Sequence, residues 1–385
     1  MPPLQPLSIG LLAAVVGFAS AFTIVLQGLT AVGASPAEAA SGLLALCVGQ
    51  GLLGLWLSLR TRMPIAIAWS TPGAALLIAT GTPDGGFPAA VGAFLVCAGL
   101  IVAAGLWRPF GRAVSSIPPA LSNAMLAGVL LDLCLAPARA VGAMPELALP
   151  IVLAWALAWR WTRLYAVPVA VVVAAGVIAF ATDLPDDALS GAWALPIPVA
   201  PVFLPDALIG IALPLFVVTM ASQNLPGLAV LNANGYRPAA SSLFVATGLA
   251  SAASAPFGGH ALNLAAITAA LCAGPEAHPD PARRWIASAV AGGAYVAIGL
   301  CAGLAAAFVA ASPPLLIQAV AGLALFASLG SALTGALARE ADRLPAVLTF
   351  VTAASGLSFF GIGAAFWGLI AGGALMILSR AGRAD

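Results

Sequence analysis

The sequence predicts an all-α polytopic membrane protein with about fourteen transmembrane segments, arranged as a seven-plus-seven inverted repeat. Three observations lead there. The composition suits only a lipid solvent, the arginines fall on one face of the predicted topology, and segments 3 and 10 each read as half extended and half helical. Hydrophobic residues make up 62% of the 385, and 14 basic plus 13 acidic residues leave 7% of the chain charged. A soluble domain carries about 25%. With a mean hydropathy of +1.09, the chain cannot cover its surface with polar groups, so its partner is the lipid bilayer. A net charge of +1 and a pI near 7.7 give no nucleic-acid footprint. The five cysteines (Cys47, Cys97, Cys134, Cys272, Cys301) sit in apolar runs without metal-ligand spacing and read as small core residues.

A membrane-crossing helix needs about 20 apolar residues. Dividing the chain at its charged, Pro-rich and Gly-rich breaks gives segments at 7–33, 38–59, 64–80, 86–107, 117–136, 145–160 and 164–181. The second half follows at 206–232, 238–255, 257–273, 284–311, 313–337, 343–359 and 360–380. The first begins at Leu7 with no basic flank and runs past signal-peptide length, so it reads as a span that stays on the chain. Breaks at Arg60 to Pro64 and at Arg160 to Arg163 are sharp. Residues 182–205, with Asp183, Asp186, Asp187 and several prolines, form the one sizeable predicted loop. The last two segments can also be read as one.

All basic residues are arginine. With both termini in the cytoplasm, thirteen of them fall inside, from Arg60, Arg62, Arg108 and Arg112 to Arg380 and Arg383; Arg139 alone falls outside, near Glu146. That asymmetry is what the positive-inside rule requires. Shifting the count by one early span scatters the arginines over both faces.

Seven is odd, so two halves of seven have opposite orientations. Weak echoes accompany this: Gly33-x-x-Pro36 matches Gly235-x-x-Pro238 at an offset of 202, and Pro64, Thr71 and Pro83 match Pro256, Asn263 and Pro275 at an offset of 192. In segment 3, Ile65 to Ser70 reads as extended, followed by Thr71-Pro72-Gly73 and a helical run to Thr80. Proline suits the first turn of a helix, so Pro72 marks a helix start in mid-membrane. In segment 10, Pro256-Phe257-Gly258-Gly259-His260 precedes helix-compatible Leu262 to Ala273. Paired, interrupted segments of this kind point to a transporter binding site. Two facing half-helix N-termini would cradle an anion without arginine; the alternative is a pair of kinks packed in a bundle.

GFASAFTIVLQGLTAVGASPAEAASGL (Gly17 to Leu43), RTRMPIAIAWSTPGAALLIATG (Arg60 to Gly81), ASQNLPGLAVLNANGYRP (Ala221 to Pro238) and FGGHALNLAAITAA from Phe257 carry a resemblance. The chain resembles the benzoate/proton symporter family, the BenE type, and more widely uracil permease. The resemblance implies proton-coupled uptake of benzoate or a similar aromatic carboxylate, in the bacterial inner (plasma) membrane. It also implies a core domain (1–107 and 206–311) moving against a gate domain (108–205 and 312–385). Fold analogy allows a homodimer through the gate. Where uracil permease has an acidic residue in segment 8, this chain has Gln223, so that carboxylate does not carry over.

Polar residues within a membrane are costly and are functional candidates by default. Away from segment edges, none of the eight core segments holds Asp or Glu, which leaves His260 as the titratable side chain near the midplane. An imidazole titrates near pH 6.5 and suits proton coupling; the alternative is a neutral packing histidine. Substrate-binding candidates are Phe18, Phe22, Ser70, Thr71, Pro72, Gly73, Gln223, Asn224, His260 and Asn263. Thr219 and Gln223, four apart, share a helix face, and neutral amides can bond a carboxylate or serve as interhelical glue. Phe18 and Phe22, also four apart, could sandwich an aromatic ring or simply face lipid. Asp132 near Arg139 reads as an interfacial ion pair, and His278 as a solvated loop residue.

No cofactor is expected beyond the proton as coupling ion. The chain has no Gly-rich phosphate loop for ATP-driven transport. A channel wants a continuous polar pore, whereas the polar groups here cluster on four segments. An intramembrane enzyme wants a nucleophile–base pair or metal ligands. Secondary transport remains, with another small anion or a nucleobase-like molecule as the alternative substrate.

Overall fold

The computed structural model describes residues 4–107, 109–111, 117–181, 193–265, 267–359 and 362–381. The predicted Arg108, Arg112, Asp183, Asp186, Asp187 and Arg383 lie outside these. In the first half, α1 (Leu4–Ala19) and α2 (Phe22–Ala31) form one span broken at Ser20–Ala21. The helix α3 (Pro36–Thr61) opens on a capping box, Ser35 with Glu38, and Pro36 in its first turn. Strand β1 (Ile67–Trp69) leads into α4 (Thr71–Thr80). Then come α5 (Gly86–Leu106), α6 (Pro119–Ala143), α7 (Pro145–Trp161) and α8 (Ala166–Ala181).

The second half opens with α9 (Pro205–Ala233), a single span containing π turns at Leu208–Ala212 and Met220–Asn224. After α10 (Ala240–Ser254), strand β2 (Leu262–Leu264) precedes α11 (Ile267–Ala273). Helices α12 (Trp285–Gly299) and α13 (Ala302–Ala311) form one span bent by 57°. Next are α14 (Pro314–Leu337), α15 (Arg343–Ala354) and α16 (Ala364–Ala381), with β3 (Ser358–Phe359) and β4 (Ile362–Gly363) between the last two. The final segments are thus two helices, not one. Among the described residues eight helices are long and apolar enough to cross a membrane, nine counting the bent pair.

Inverted symmetry is visible in the packing. α3 packs on α12, and its repeat equivalent α10 packs on α5. Small residues set both contacts, as in membrane interfaces generally: Gly51 and Gly292 face one another's carbonyls, and Gly105 and Gly248 face Ser241 and Val102. α6 and α14 pack antiparallel, with Gly322 against Leu133 and Pro137 at one end and Gly335 against Asn123 at the other. The 202-residue echo marks one turn seen twice, since Gly33 (φ 100°) and Gly235 (φ 87°) both end spans in the left-handed region that glycine tolerates. The 192-residue echo does not survive: Thr71 opens α4, whereas Asn263 is the middle of β2.

The described part of the predicted loop is a loop without helix or strand. Residues 193–204 form an extended strap whose backbone N–H groups at Ile197, Val199 and Val202 bond Ser41 Oγ, Pro256 O and Pro88 O. Arg62 stacks over Trp285 at 4.2 Å, which puts the loop before β1 and the loop before α12 on one face. Asp132 and Arg139 form the expected ion pair at 2.7 Å, both well exposed, and His278 Nδ1 accepts from Asp280 N–H in a loop turn.

Overpacking a close contact costs about 1–3 kcal/mol. Gly292→Val should therefore lower the Tm of the detergent-solubilised protein, because a Cβ there meets the Gly51 carbonyl oxygen. Gly293→Val, one residue on, points into open space and should leave Tm unchanged. Equal Tm values for the two variants would contradict the packing.

Candidate substrate site

Two unwound segments meet inside the helix bundle. β1 and β2 pair antiparallel in the register Ile67↔Leu264, Ala68↔Asn263 and Trp69↔Leu262. The ladder extends one bond each way, Ser70 N–H to Ala261 O (3.0 Å) and Ala265 N–H to Ala66 O (2.9 Å). These bonds interchange under an offset of 195 residues, so the pseudo-twofold axis of the repeat passes through the Ala68–Asn263 pair.

A two-stranded ribbon leaves outward N–H groups that lipid cannot satisfy. Side chains from neighbouring helices satisfy three of them. Gln50 Oε1 of α3 accepts from Trp69 N–H (2.8 Å), Asn224 Oδ1 of α9 from Leu264 N–H (2.9 Å), and Ser251 Oγ of α10 from Leu262 N–H (2.8 Å). All three residues are buried. Sequence reasoning missed Gln50 and Ser251, although a glutamine in the middle of an apolar helix was the available signal.

Ser70 joins the ribbon to α4. Its hydroxyl caps the helix by accepting from Gly73 N–H (3.1 Å) and also accepts from Thr219 Oγ1 (3.0 Å). Pro72 sits in the first turn, where its missing N–H costs nothing, and helix geometry leaves Thr71 N–H without an intrahelical partner. His260 Nε2 lies 2.9 Å from Ser70 O. A carbonyl only accepts, so Nε2 carries the hydrogen, and Nδ1 has no partner among the described residues. The ring meets Phe94 edge-on at 6.3 Å.

Three expectations need correction. His260 to Asn263 do not start a helix: Ala261 and Leu262 use their backbone groups on Ser70 and Ser251, so helix resumes only at Ile267. Thr219 and Gln223 do not share a face, because the π turn over Met220–Asn224 widens the helix. Thr219 and Asn224, five apart, are the buried pair that reaches the ribbon, and half-buried Gln223 has no hydrogen-bond partner among the described residues. Phe18 and Phe22 stack directly on each other, centroids 5.1 Å apart, and leave no slot for a ring between them; Phe18 meets Trp69 edge-on at 6.0 Å. Asn263 is fully buried, its Nδ2 bonded to Leu264 O (3.0 Å) and its Oδ1 unpaired among the described residues.

Opposed, interrupted segments in a bundle with inverted repeats define a polytopic membrane transport protein. The chain belongs to the BenE family, described as benzoate membrane transport protein, whose sequence model matches residues 3–378. It is 40% identical to the inner membrane protein YdcO of Escherichia coli (strain K12), over 98% of this chain and 96% of that protein. It is 31% identical to the benzoate membrane transport protein of Acinetobacter baylyi, over 94% and 92%. Its structure resembles the transmembrane domain of a cyanobacterium bicarbonate transporter BicA, with a TM-score of 0.58 and 18% identity over 97% of both chains. The murine Slc26a9 anion transporter in its inward-facing state gives 0.64 and 14% over 99% of this chain and 68% of that one. The shared fold is the seven-plus-seven inverted repeat.

The ribbon's side-chain partners are structural in the first instance. Leaving a buried N–H unpaired costs about 1–3 kcal/mol, so Asn224→Leu and Gln50→Leu should each lower Tm measurably. Gln223→Leu, which breaks no bond, should not. Thermal denaturation in detergent is the check, and a Gln223 variant as unstable as the other two would refute the assignment.

Proposed function

We propose that this chain is a secondary active transporter that takes up benzoate or a similar aromatic carboxylate together with a proton, by alternating access. It would work in the bacterial inner membrane with both termini cytoplasmic. The observation that carries the reading is the polar set around the ribbon: Thr71 N–H at the α4 start and the unpaired amide of Gln223, with no formal charge between them. The free Oδ1 of Asn263 beside them only accepts, so it would meet a donor and not the carboxylate. Helix-terminal N–H groups and neutral amides stabilise a carboxylate without trapping it behind a fixed cation. Family membership and the names of the relatives support the substrate class. In this reading Ser70, Pro72, Gly73 and Asn224 hold the frame, and Phe18 and Phe22 supply an aromatic wall. Residues 1–107 and 206–311 form the moving core against a gate of 108–205 and 312–385, through which two copies would associate.

Importing an anion against an inside-negative potential costs about 2.3 kcal/mol per charge per 100 mV. One accompanying proton removes that cost. His260 is assigned as its carrier because it bonds the carbonyl of Ser70 directly beneath the α4 start. Proton and anion would then favour each other's binding reciprocally.

Proteoliposomes with an imposed inward proton gradient should accumulate labelled benzoate and lose it on addition of a protonophore. Accumulation indifferent to the gradient, or none, would overturn the reading. In Gln223→Ala, loss of a hydrogen bond to a charged group, about 1.5–3 kcal/mol, should weaken benzoate binding roughly ten- to a hundredfold.

His260→Gln keeps a donor for Ser70 O but cannot take up a proton. It should still bind benzoate while losing gradient-driven accumulation. Accumulation with the parent's pH dependence would remove His260 from the mechanism.

A further inference from the structure

The antiparallel pair α6–α14 carries an internal repeat at the same 195-residue offset as the ribbon. Pro118-Pro119-Ala120-Leu121-Ser122-Asn123 and Pro313-Pro314-Leu315-Leu316-Ile317-Gln318 share the pattern Pro-Pro-x-Leu-x-amide. In both, the second proline opens the helix and the amide follows one turn later. Because the helices are antiparallel and Asn123 lies against Gly335, the two amides stand at opposite ends of the pair, roughly 25 Å apart at 1.5 Å per residue.

Each amide lines a cavity between its own helix and a broken or bulged span. Gln318 shares a cavity of about 390 Å³ with Gln27, Thr30 and Leu26 of α2. Asn123 and Ser122 share one of about 270 Å³ with Met220 and Leu225 of α9. The first and eighth spans exchange under the repeat, as do α6 and α14, so the two cavities are equivalent sites facing opposite ways. Each contains a buried polar atom with no hydrogen-bond partner among the described residues, Gln27 Nε2 in one and Ser122 Oγ in the other; Ser122 is only 4% exposed. Gly335 leaves room for Asn123, since a Cβ there would run into its amide. The remaining walls are mostly apolar, and the sizes lie near the lower end of small-molecule sites, about 300–1,000 Å³. An apolar ring with one hydrogen-bonding head matches both.

We propose that these cavities are opposed vestibules of the transport path, where Gln318 with Gln27, and Asn123 with Ser122, receive the substrate carboxylate on opposite faces of the membrane. The proposal rests on the aromatic-carboxylate reading above but on different residues from the central ribbon. The test uses Gln318→Cys and Asn123→Cys, each in a Cys301→Ser chain, the other four cysteines being buried. Oriented membrane vesicles receive a membrane-impermeant maleimide on one face at a time. The two positions should label from opposite faces, and benzoate at about ten times its Kd should slow each roughly tenfold. Labelling of both from one face, or labelling indifferent to benzoate, overturns the proposal. Purified Gln318→Leu and Asn123→Leu give a second measure. Each should bind benzoate about tenfold more weakly at unchanged Tm, and parental affinity in both would equally overturn it. A Cys301→Ser parent that itself fails to bind benzoate would instead bring down the substrate reading, and this proposal with it.

Discussion

Unwound backbone inside a membrane is the constraint on which the rest of this structure depends. Every N–H and C=O that leaves a helix in lipid must find a partner within the protein. The chain answers by pairing its two unwound segments with each other, so that one pseudo-twofold ribbon satisfies both halves at once. Three of the four outward N–H groups, those of Trp69, Leu264 and Leu262, are closed by Gln50, Asn224 and Ser251, from three different helices. Close approach of those helices is therefore required, and the small residues along α3, α12, α5 and α10 permit it. Removing the unwinding would free those side chains, but it would also remove the helix start at Ser70 that gives the bundle a polar centre.

Polarity in the interior divides into two populations. Gln50 Oε1, Asn224 Oδ1, Ser251 and Thr219 are spent on backbone or hydroxyl partners and define geometry. Gln223, Gln27 Nε2, Gln50 Nε2, Ser122 Oγ, Asn263 Oδ1, His260 Nδ1 and Ser288 Oγ lack hydrogen-bond partners among the described residues. A buried unsatisfied group is a standing cost that folding alone does not explain. These atoms lie at the ribbon, beside it on α9, in the two seam cavities, or, for Gln50 and Ser288, around a small cavity between α3 and α12.

Much of this was legible in the sequence, and the limits have physical causes. Composition and arginine placement report the solvent, so the spans and their breaks could be read directly. Pro72 announced the α4 start because proline restricts local backbone geometry. Nothing local announced that His260 to Leu264 would be held extended, since that depends on β1, nearly two hundred residues away. The π turn in α9 likewise escaped a 3.6-residue reading, and it moved the buried partner of Thr219 from Gln223 to Asn224. The 192-residue echo shows how biased composition generates false matches, whereas the Pro-Pro-x-Leu-x-amide pair becomes significant only when the ribbon fixes the offset at 195.

Inverted symmetry also bears on the energetics of the proposed cycle. Alternating access requires two conformations separated by only a few kcal/mol, because a ligand shifts an equilibrium only by its differential affinity. Two arbitrary packings of one chain would seldom lie so close in energy. A repeat whose α3–α12 and α10–α5 contacts are equivalents, and whose α6–α14 and β1–β2 contacts map onto themselves, removes much of that difficulty. Interchanging the conformations of the halves re-forms the same kinds of contact on the opposite face. The residual difference then lies where the symmetry fails. At the equivalent N–H groups of Trp69 and Leu264 the acceptors come from unrelated helices, α3 and α9, and Ser70, which anchors Thr219 and His260, is replaced by Ala265 in the other half. In the proposed cycle, asymmetric polar contacts on a symmetric scaffold would let proton and substrate bias one state over the other.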